Sequence, residues 1–303
     1  MQDHPNSDLK RFFKKFVLLL LVLIILDFAV GKTLKFLFFK EKLNSTTYVM
    51  NTTTADFLVF GSSRASRHYV PAVFEKKFNT TFYNCGRDAS KMIYSLAAMS
   101  AVLERYRPKH IVLELDPDDF ANSEENSLSM LLPYRDNPAV ANFIKYNSRF
   151  ERFKLMSQIY PYNSMIGDII MGNLSSHKAG FGIDVEGYLK FDDMMDNQPV
   201  KPFKYEKLIQ QRVNILDDFL SQLHRRGIKI TVVISPIYFT FAPRNQVVTI
   251  MGSFCKKYSN VSFVNYENDP RFFDHTLFHD DLHMNDIGAH KFSEDLADKL
   301  IKN

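Results

Sequence analysis

The chain has 303 residues, enough for one large α/β domain or two small ones, and its 46% hydrophobic content with 28 Phe excludes a disordered chain. The formal charge of +4 sits at one end: residues 1–42 carry 8 Lys/Arg against 4 Asp/Glu, whereas residues 43–303 carry 30 of each. The body thus has no basic field to gather phosphates, which argues against nucleic acid as a partner. Two cysteines, Cys85 and Cys255, allow one disulfide at most.

Residues 1–15 form a basic tail ending in Lys10, Arg11, Lys14 and Lys15. An apolar run begins at Phe16, is interrupted by Asp27, and resumes through Phe36–Phe39. Residues 16–39 read as one uncleaved transmembrane signal anchor, with Lys32 and Lys35 snorkelling toward the interface. A cleaved signal peptide is the rival reading, with Ala29 and Gly31 as the small residues near a cut. The leading charges put the N-terminus in the cytoplasm and the body outside, as in a single-pass protein of the cell membrane. Asp27 either pairs with another membrane protein or lies solvated near the outer interface. Residues 40–55 are polar and lack periodicity, so they read as a stalk that lifts the domain off the bilayer.

The body, residues 56–303, alternates strands and helices. Phe57–Phe60 reads as a short buried strand ended by Gly61-Ser62-Ser63-Arg64, where a glycine permits a sharp turn. Pro71 opens a helix through Phe78, and Thr81–Tyr83 forms a second strand before Asn84-Cys85-Gly86. Ser90 is placed to cap a helix with Met92, Leu96, Met99 and Leu103 on one face. Ile111–Leu115 is a third strand. Residues 120–200 show no such alternation and read as a mostly helical insertion over the sheet edge. Lys204–Arg226 is an amphipathic helix closed by Gly227, and Ile228–Ser235 is the clearest strand. A helix over Val247–Tyr258, a strand over Val261–Asn265 and a helix from Gly288 to Ile301 complete the pattern. Alternation of this kind predicts a parallel sheet with helices on both faces.

Ser63, at the carboxyl edge of the first strand, is where ligands bind in open α/β sheets, so it is a candidate nucleophile. A nucleophilic serine needs a base and a group that orients the base. Both are present in Phe278-His-Asp280-Asp281-Leu-His283-Met-Asn285, where Asp280 lies three residues before His283. The simpler reading is that Ser62 and Ser63 cap the following helix. Arg64 either contacts an acidic substrate or pairs with a nearby carboxylate. His275, His279 and His283 recur every four residues and would share a helix face as metal ligands. Asp274, Asp280 and Pro270 instead argue for a loop, and neither a metal nor a cofactor is expected. Cys85 reads as a small residue filling a strand end rather than a second nucleophile.

Gly61-Ser62-Ser63 near the start and Asp280-x-x-His283-x-Asn285-x-x-Gly288-Ala289 near the end resemble the first and last blocks of the SGNH (GDSL-like) hydrolase superfamily. The second form is similar to its membrane-anchored envelope branch, which includes alginate O-acetylation proteins and the D-alanyl-lipoteichoic-acid transfer protein. The resemblance covers roughly residues 56–119 and 204–301. It implies a three-layer, flavodoxin-like parallel sheet with an insertion, working beside a multi-span membrane O-acyltransferase. It also implies Ser63 as nucleophile, His283 as base, Asp280 as its partner, and an oxyanion site from Ser63 and Gly86. The family's third-block Asn falls on Asp118, whose ionised carboxylate would repel an oxyanion. The expected function is Ser-His-Asp acyl transfer or ester hydrolysis, with an envelope polysaccharide or acyl ester as substrate. The alternative is a non-catalytic accessory that binds glycan or the acyltransferase.

Overall fold

A computed structural model describes residues 5–40, 45–121, 126–146, 148–174, 187–242 and 245–302. Its centre is a parallel sheet of five strands: β1 (Phe57–Phe60), β2 (Phe82–Asn84), β3 (His110–Glu114), β4 (Ile230–Ile234) and β5 (Val261–Asn265), in the order β2-β1-β3-β4-β5. The register is continuous across the sheet, with Val59 opposite Asn84 on one side and Val112 on the other, and Val112 opposite Thr231. The reversal of strand order at β1 places a crevice at the carboxyl ends of β1 and β3, the ligand edge of such sheets.

Every residue of β1 is buried, because the strand is covered on both faces and its side chains alternate between two cores. Leu58 and Phe60 face the helices α5 (Met92–Arg105), α9 (Gln210–Arg225) and α10 (Gln246–Lys257). Phe57 and Val59 face α3 (Ser63–His68), α4 (Pro71–Phe78) and α11 (Asp286–Lys302). The result is three layers. The apolar stripe read in the sequence of α5 is buried throughout at Met92, Leu96, Met99 and Leu103. Its cap differs from expectation: Ser90 Oγ donates to the Gly61 carbonyl, and Asp119 Oδ1 accepts the free Met92 N–H. Helix α9 starts only at Gln210, after the Ile209 N–H bonds the Phe120 carbonyl, so Lys204–Leu208 is not helical.

Two expectations need correction. Residues 45–55 are not a stalk. Ser45–Asn51 forms α2, which buries Thr46, Val49 and Met50 against the body, with Thr46 Oγ1 2.8 Å from the Tyr94 hydroxyl. Its hydroxyls find buried partners, so its polar composition hid a packed face. Residues 41–44 lie outside the described residues. The expected insertion divides: it is helical through α6 (Pro138–Ile144), α7 (Glu151–Lys154) and α8 (Ile166–Leu174), whereas residues 187–209 run largely extended across the front of the domain.

Among the described residues one helix, α1 (Pro5–Lys40), is long and apolar enough to cross a membrane over Asp8–Lys40. Its far end is built into the body. Leu34 and Phe38 are buried, Phe38 against Tyr134 and Tyr162, and Asn173 Nδ2 donates to the Leu37 carbonyl. Asp27, half-buried, has partners within the chain: it accepts from Ser157 Oγ at 2.5 Å, Gln158 N at 2.7 Å and Ile159 N at 3.3 Å.

Candidate active site

The chain turns at Gly61 because nothing larger fits. A Cβ there would lie 2.7 Å from Glu114 Cβ and 2.8 Å from Ala65 Cβ. Ser62 then caps α3, its hydroxyl accepting from Arg64 N at 3.4 Å. Ser63 is the first residue of α3, where amides have no intrahelical acceptor. Of the two serines offered by the sequence as helix caps, Ser62 is the one that caps.

Ser63 Oγ lies 2.7 Å from His283 Nε2 across 220 residues of chain. On the other side of the ring, Nδ1 is 3.0 and 2.9 Å from the two Asp280 oxygens. A carboxylate only accepts, so Nδ1 carries the hydrogen and Nε2 is left as acceptor for the serine proton. Burial alone would raise the Asp280 pKa, but the His283 ring and the backbone N–H groups of Leu282 and His283 outweigh it and hold it to about 2. The side chain therefore stays an anion that fixes ring, tautomer and loop together.

Local contacts explain much of the last-block motif. Asn285 Oδ1 accepts from Gly288 N and its Nδ2 donates to the Thr276 carbonyl, which caps α11. Gly288 is required because a Cβ would stand 2.0 Å from the Leu277 oxygen.

Behind the loop lies a buried relay absent from the sequence reading. Met284 N–H donates to His68 Nε2, so His68 Nδ1–H donates to Ser235 Oγ, which donates to Glu114 Oε1. Tyr69 donates to Glu114 Oε2. Burial first, then the cations Arg64 and Arg67, push the His68 pKa well down, so this imidazole is neutral. Arg64 does not face a substrate: it is buried, 2.8 Å from Glu114 and 2.7 Å from Asp116, and donates to the Leu115 carbonyl. Single-sequence reading had no means of finding His68, because its partners lie more than 160 residues away.

The front of the site is formed by the extended segment. Phe191 stacks on His279 with centroids 3.7 Å apart and meets His283 edge-on at 6.0 Å. The Arg67 guanidinium lies 4.5 Å from the Phe191 centroid and pairs with Asp88. Backbone bonds from Leu189 N to the Ser66 carbonyl and from Asp286 N to the Phe191 carbonyl fix the segment there. His279 is directed to Asp193 at 2.7 Å and His283 to Ser63, so these two of the three spaced histidines serve different partners. Among the described residues no group of three His, Cys, Asp or Glu could hold a metal ion.

The two other oxyanion candidates are Gly86 and Asp118. The Gly86 N–H donates to Asn84 Oδ1 at 2.9 Å, so that amide already has an acceptor. A Cβ at Gly86 would be 2.3 Å from Ser66 N, which makes the residue a packing glycine against α3. Asp118 has one buried oxygen, Oδ1, without a hydrogen-bond partner, and burial raises its pKa against the pull of Lys91. Among the described residues no hydrogen bond joins Asp118 to Ser63 or His283. Cys85 is buried and unbridged, with its pKa pushed well up by burial, which leaves an inert thiol.

No family model matches the chain, and no curated protein matches it in sequence. The reading of the site rests on its geometry.

Proposed function

We propose that Ser63, His283 and Asp280 perform acyl transfer or ester hydrolysis through a serine ester, in the manner of the SGNH hydrolases that the end blocks resemble. The observation that carries this reading is the 2.7 Å approach of Ser63 Oγ to His283 Nε2, on a ring whose Nδ1 faces Asp280. Ser63 attacks an acyl carbonyl while its proton passes to His283 Nε2. The tetrahedral intermediate then collapses, the proton goes from Nε2 to the departing alkoxide, and the acyl group stays on Ser63 Oγ. A hydroxyl or water gives its proton to Nε2, attacks the ester and releases Ser63. Asp280 stabilises the imidazolium in both halves.

Anchor and site together favour a fixed substrate near a membrane, an envelope polysaccharide acylated on a hydroxyl. The acyl supply would come from a polytopic membrane O-acyltransferase, with the body on the extracytoplasmic side. Full-length protein treated with a fluorophosphonate should label at Ser63, and Ser63→Ala should abolish both labelling and aryl acetate hydrolysis. Wild-type protein that neither labels nor hydrolyses, with Ser63→Ala still supporting glycan acylation in cells, would defeat the proposal.

Two observations favour a second reading, a non-catalytic accessory that binds glycan or the acyltransferase. The Gly86 amide is engaged and Asp118 stands where an oxyanion-binding Asn is expected, which leaves the Ser63 amide as the candidate donor. Loss of one such donor costs on the order of 100- to 1,000-fold in rate. A purified protein with a reactive Ser63 but very slow turnover fits a transferase; an unreactive Ser63 fits the accessory.

A further inference from the structure

We propose that the helical insertion is a membrane seat: the apolar side chains Phe150, Phe153 and Met156 enter the outer leaflet beside α1, continued higher up by Ile170, Met171 and Leu174. This rests on α1 crossing the bilayer, and the depth follows from Asp27. Lys14 and Lys15 mark the inner boundary of the apolar run. The twelve residues from Lys15 to Asp27 rise about 18 Å, and the hydrocarbon layer is about 30 Å thick. Asp27 therefore lies roughly 12 Å inside the outer boundary, which falls near Lys35, whose ammonium pairs with Asp136 at 2.6 Å.

A carboxylate at that depth needs donors, because hydrocarbon supplies none. Its donors are Ser157 Oγ, Gln158 N and Ile159 N, which belong to the insertion. The insertion must reach the depth of the residue it caps. Close packing agrees: a Cβ on Gly31 would be 2.3 Å from Gln158 Cβ, so helix and insertion touch backbone to backbone one turn above Asp27.

The surface presented there suits lipid. Immediately before the capping residues, Phe150, Phe153 and Met156 are 51%, 68% and 76% exposed. On α8, beside the Leu37 end of α1, Ile170, Met171 and Leu174 are exposed as well. The backbone amides from Phe153 to Ser157 are all bonded within turns, so the segment carries no bare amide into lipid. Arg149, Arg152 and Lys154 are interleaved and exposed, long enough to snorkel to lipid phosphates. This mixture of aromatic, aliphatic and basic side chains is that of an interfacial segment.

The chain contains no tryptophan, so single-Trp variants report their own surroundings. Full-length F153W and M156W, reconstituted in vesicles of phosphatidylcholine and phosphatidylglycerol, should lose most of their emission when the acyl chains are brominated. I287W, on the exposed face of α11, should be unaffected. L21W reports the anchor itself and should be quenched whenever α1 spans. Quenching of L21W without quenching of F153W and M156W overturns the seat and leaves the anchor standing, whether water or another protein covers that face. Failure of L21W itself overturns the transmembrane reading and the seat with it.

Discussion

Replacement of Arg64 by methionine isolates the buried charges beneath the Ser63 turn. The Arg64 and Glu114 side chains are 3% and 0% exposed and 2.8 Å apart, and Asp116 is a second carboxylate on the same guanidinium. Burial opposes the charge on Arg64, but Glu114 and Asp116 outweigh it and raise the Arg64 pKa. For Glu114 burial wins over the pull of Arg64, and its pKa is raised above the ordinary 4.5. Arg64→Met removes the largest force favouring the glutamate anion. Breaking one side of a buried pair costs about 3–5 kcal/mol, a large share of the roughly 5–15 kcal/mol that holds a domain folded. With a urea slope near 3 kcal/mol/M, the midpoint should fall by about 1–1.7 M.

The loss should depend on pH in one direction. An acid whose folded pKa lies above its unfolded value keeps its proton in the folded state after the unfolded chain has released it. Stability is then full below about 4.5 and falls as pH rises through the folded pKa. Arg64→Met raises that folded value further, so the deficit should be larger at pH 8 than at pH 5. Adding Glu114→Gln should restore part of the loss and flatten the dependence. Urea titrations of full-length protein in detergent, followed by circular dichroism, measure both effects. A deficit under about 1 kcal/mol, or a double variant worse than Arg64→Met at pH 8, would refute the reasoning.

Asp280→Asn keeps an acceptor for His283 but admits the wrong tautomer, so Ser63 labelling by a fluorophosphonate should slow by roughly 10,000-fold, read from labelling rates. The same variant should flatten the acid limb of the stability profile. With its pKa held at about 2, Asp280 contributes stability above its ordinary 3.8, and this is lost as pH falls through 2. Gly86→Ala meets backbone, Ser66 N at 2.3 Å and Ala65 C at 2.8 Å, and should destabilise by about 1–3 kcal/mol while displacing α3. Gly252→Ala in α10 meets nothing within 4 Å and should stabilise by about 0.5–1 kcal/mol in the same urea assay.

What was legible in the sequence was whatever short-range pattern encodes. The stripe of α5, the αL glycine closing α9 at Gly227, and the apolar runs of β1 and β4 follow from periodicity and local backbone preference. Asp280 and His283 were visible because their bond spans three residues, and Ser63 because a glycine and two hydroxyls end a buried strand. The α2 segment was misread because its hydroxyls bond Tyr94 and Tyr134, partners 48 and 87 residues away. No local pattern records that.

The His68 relay and the Phe191 wall were missed for the same reason, yet they bear directly on Ser63. His68 Nε2 accepts the amide next after His283 and its Nδ1–H donates to Ser235, so the His283 loop is tied to β3 through Glu114. Arg64, adjacent to the nucleophile, is tied to that same Glu114. One buried carboxylate thus links the Ser63 turn, through Arg64, with the His283 loop, through Ser235 and His68. Glu114 is reached by Arg64 on one side and by Ser235, the partner of His68, on the other. Buried residues remote in sequence therefore brace both sides of the 2.7 Å contact between Ser63 and His283.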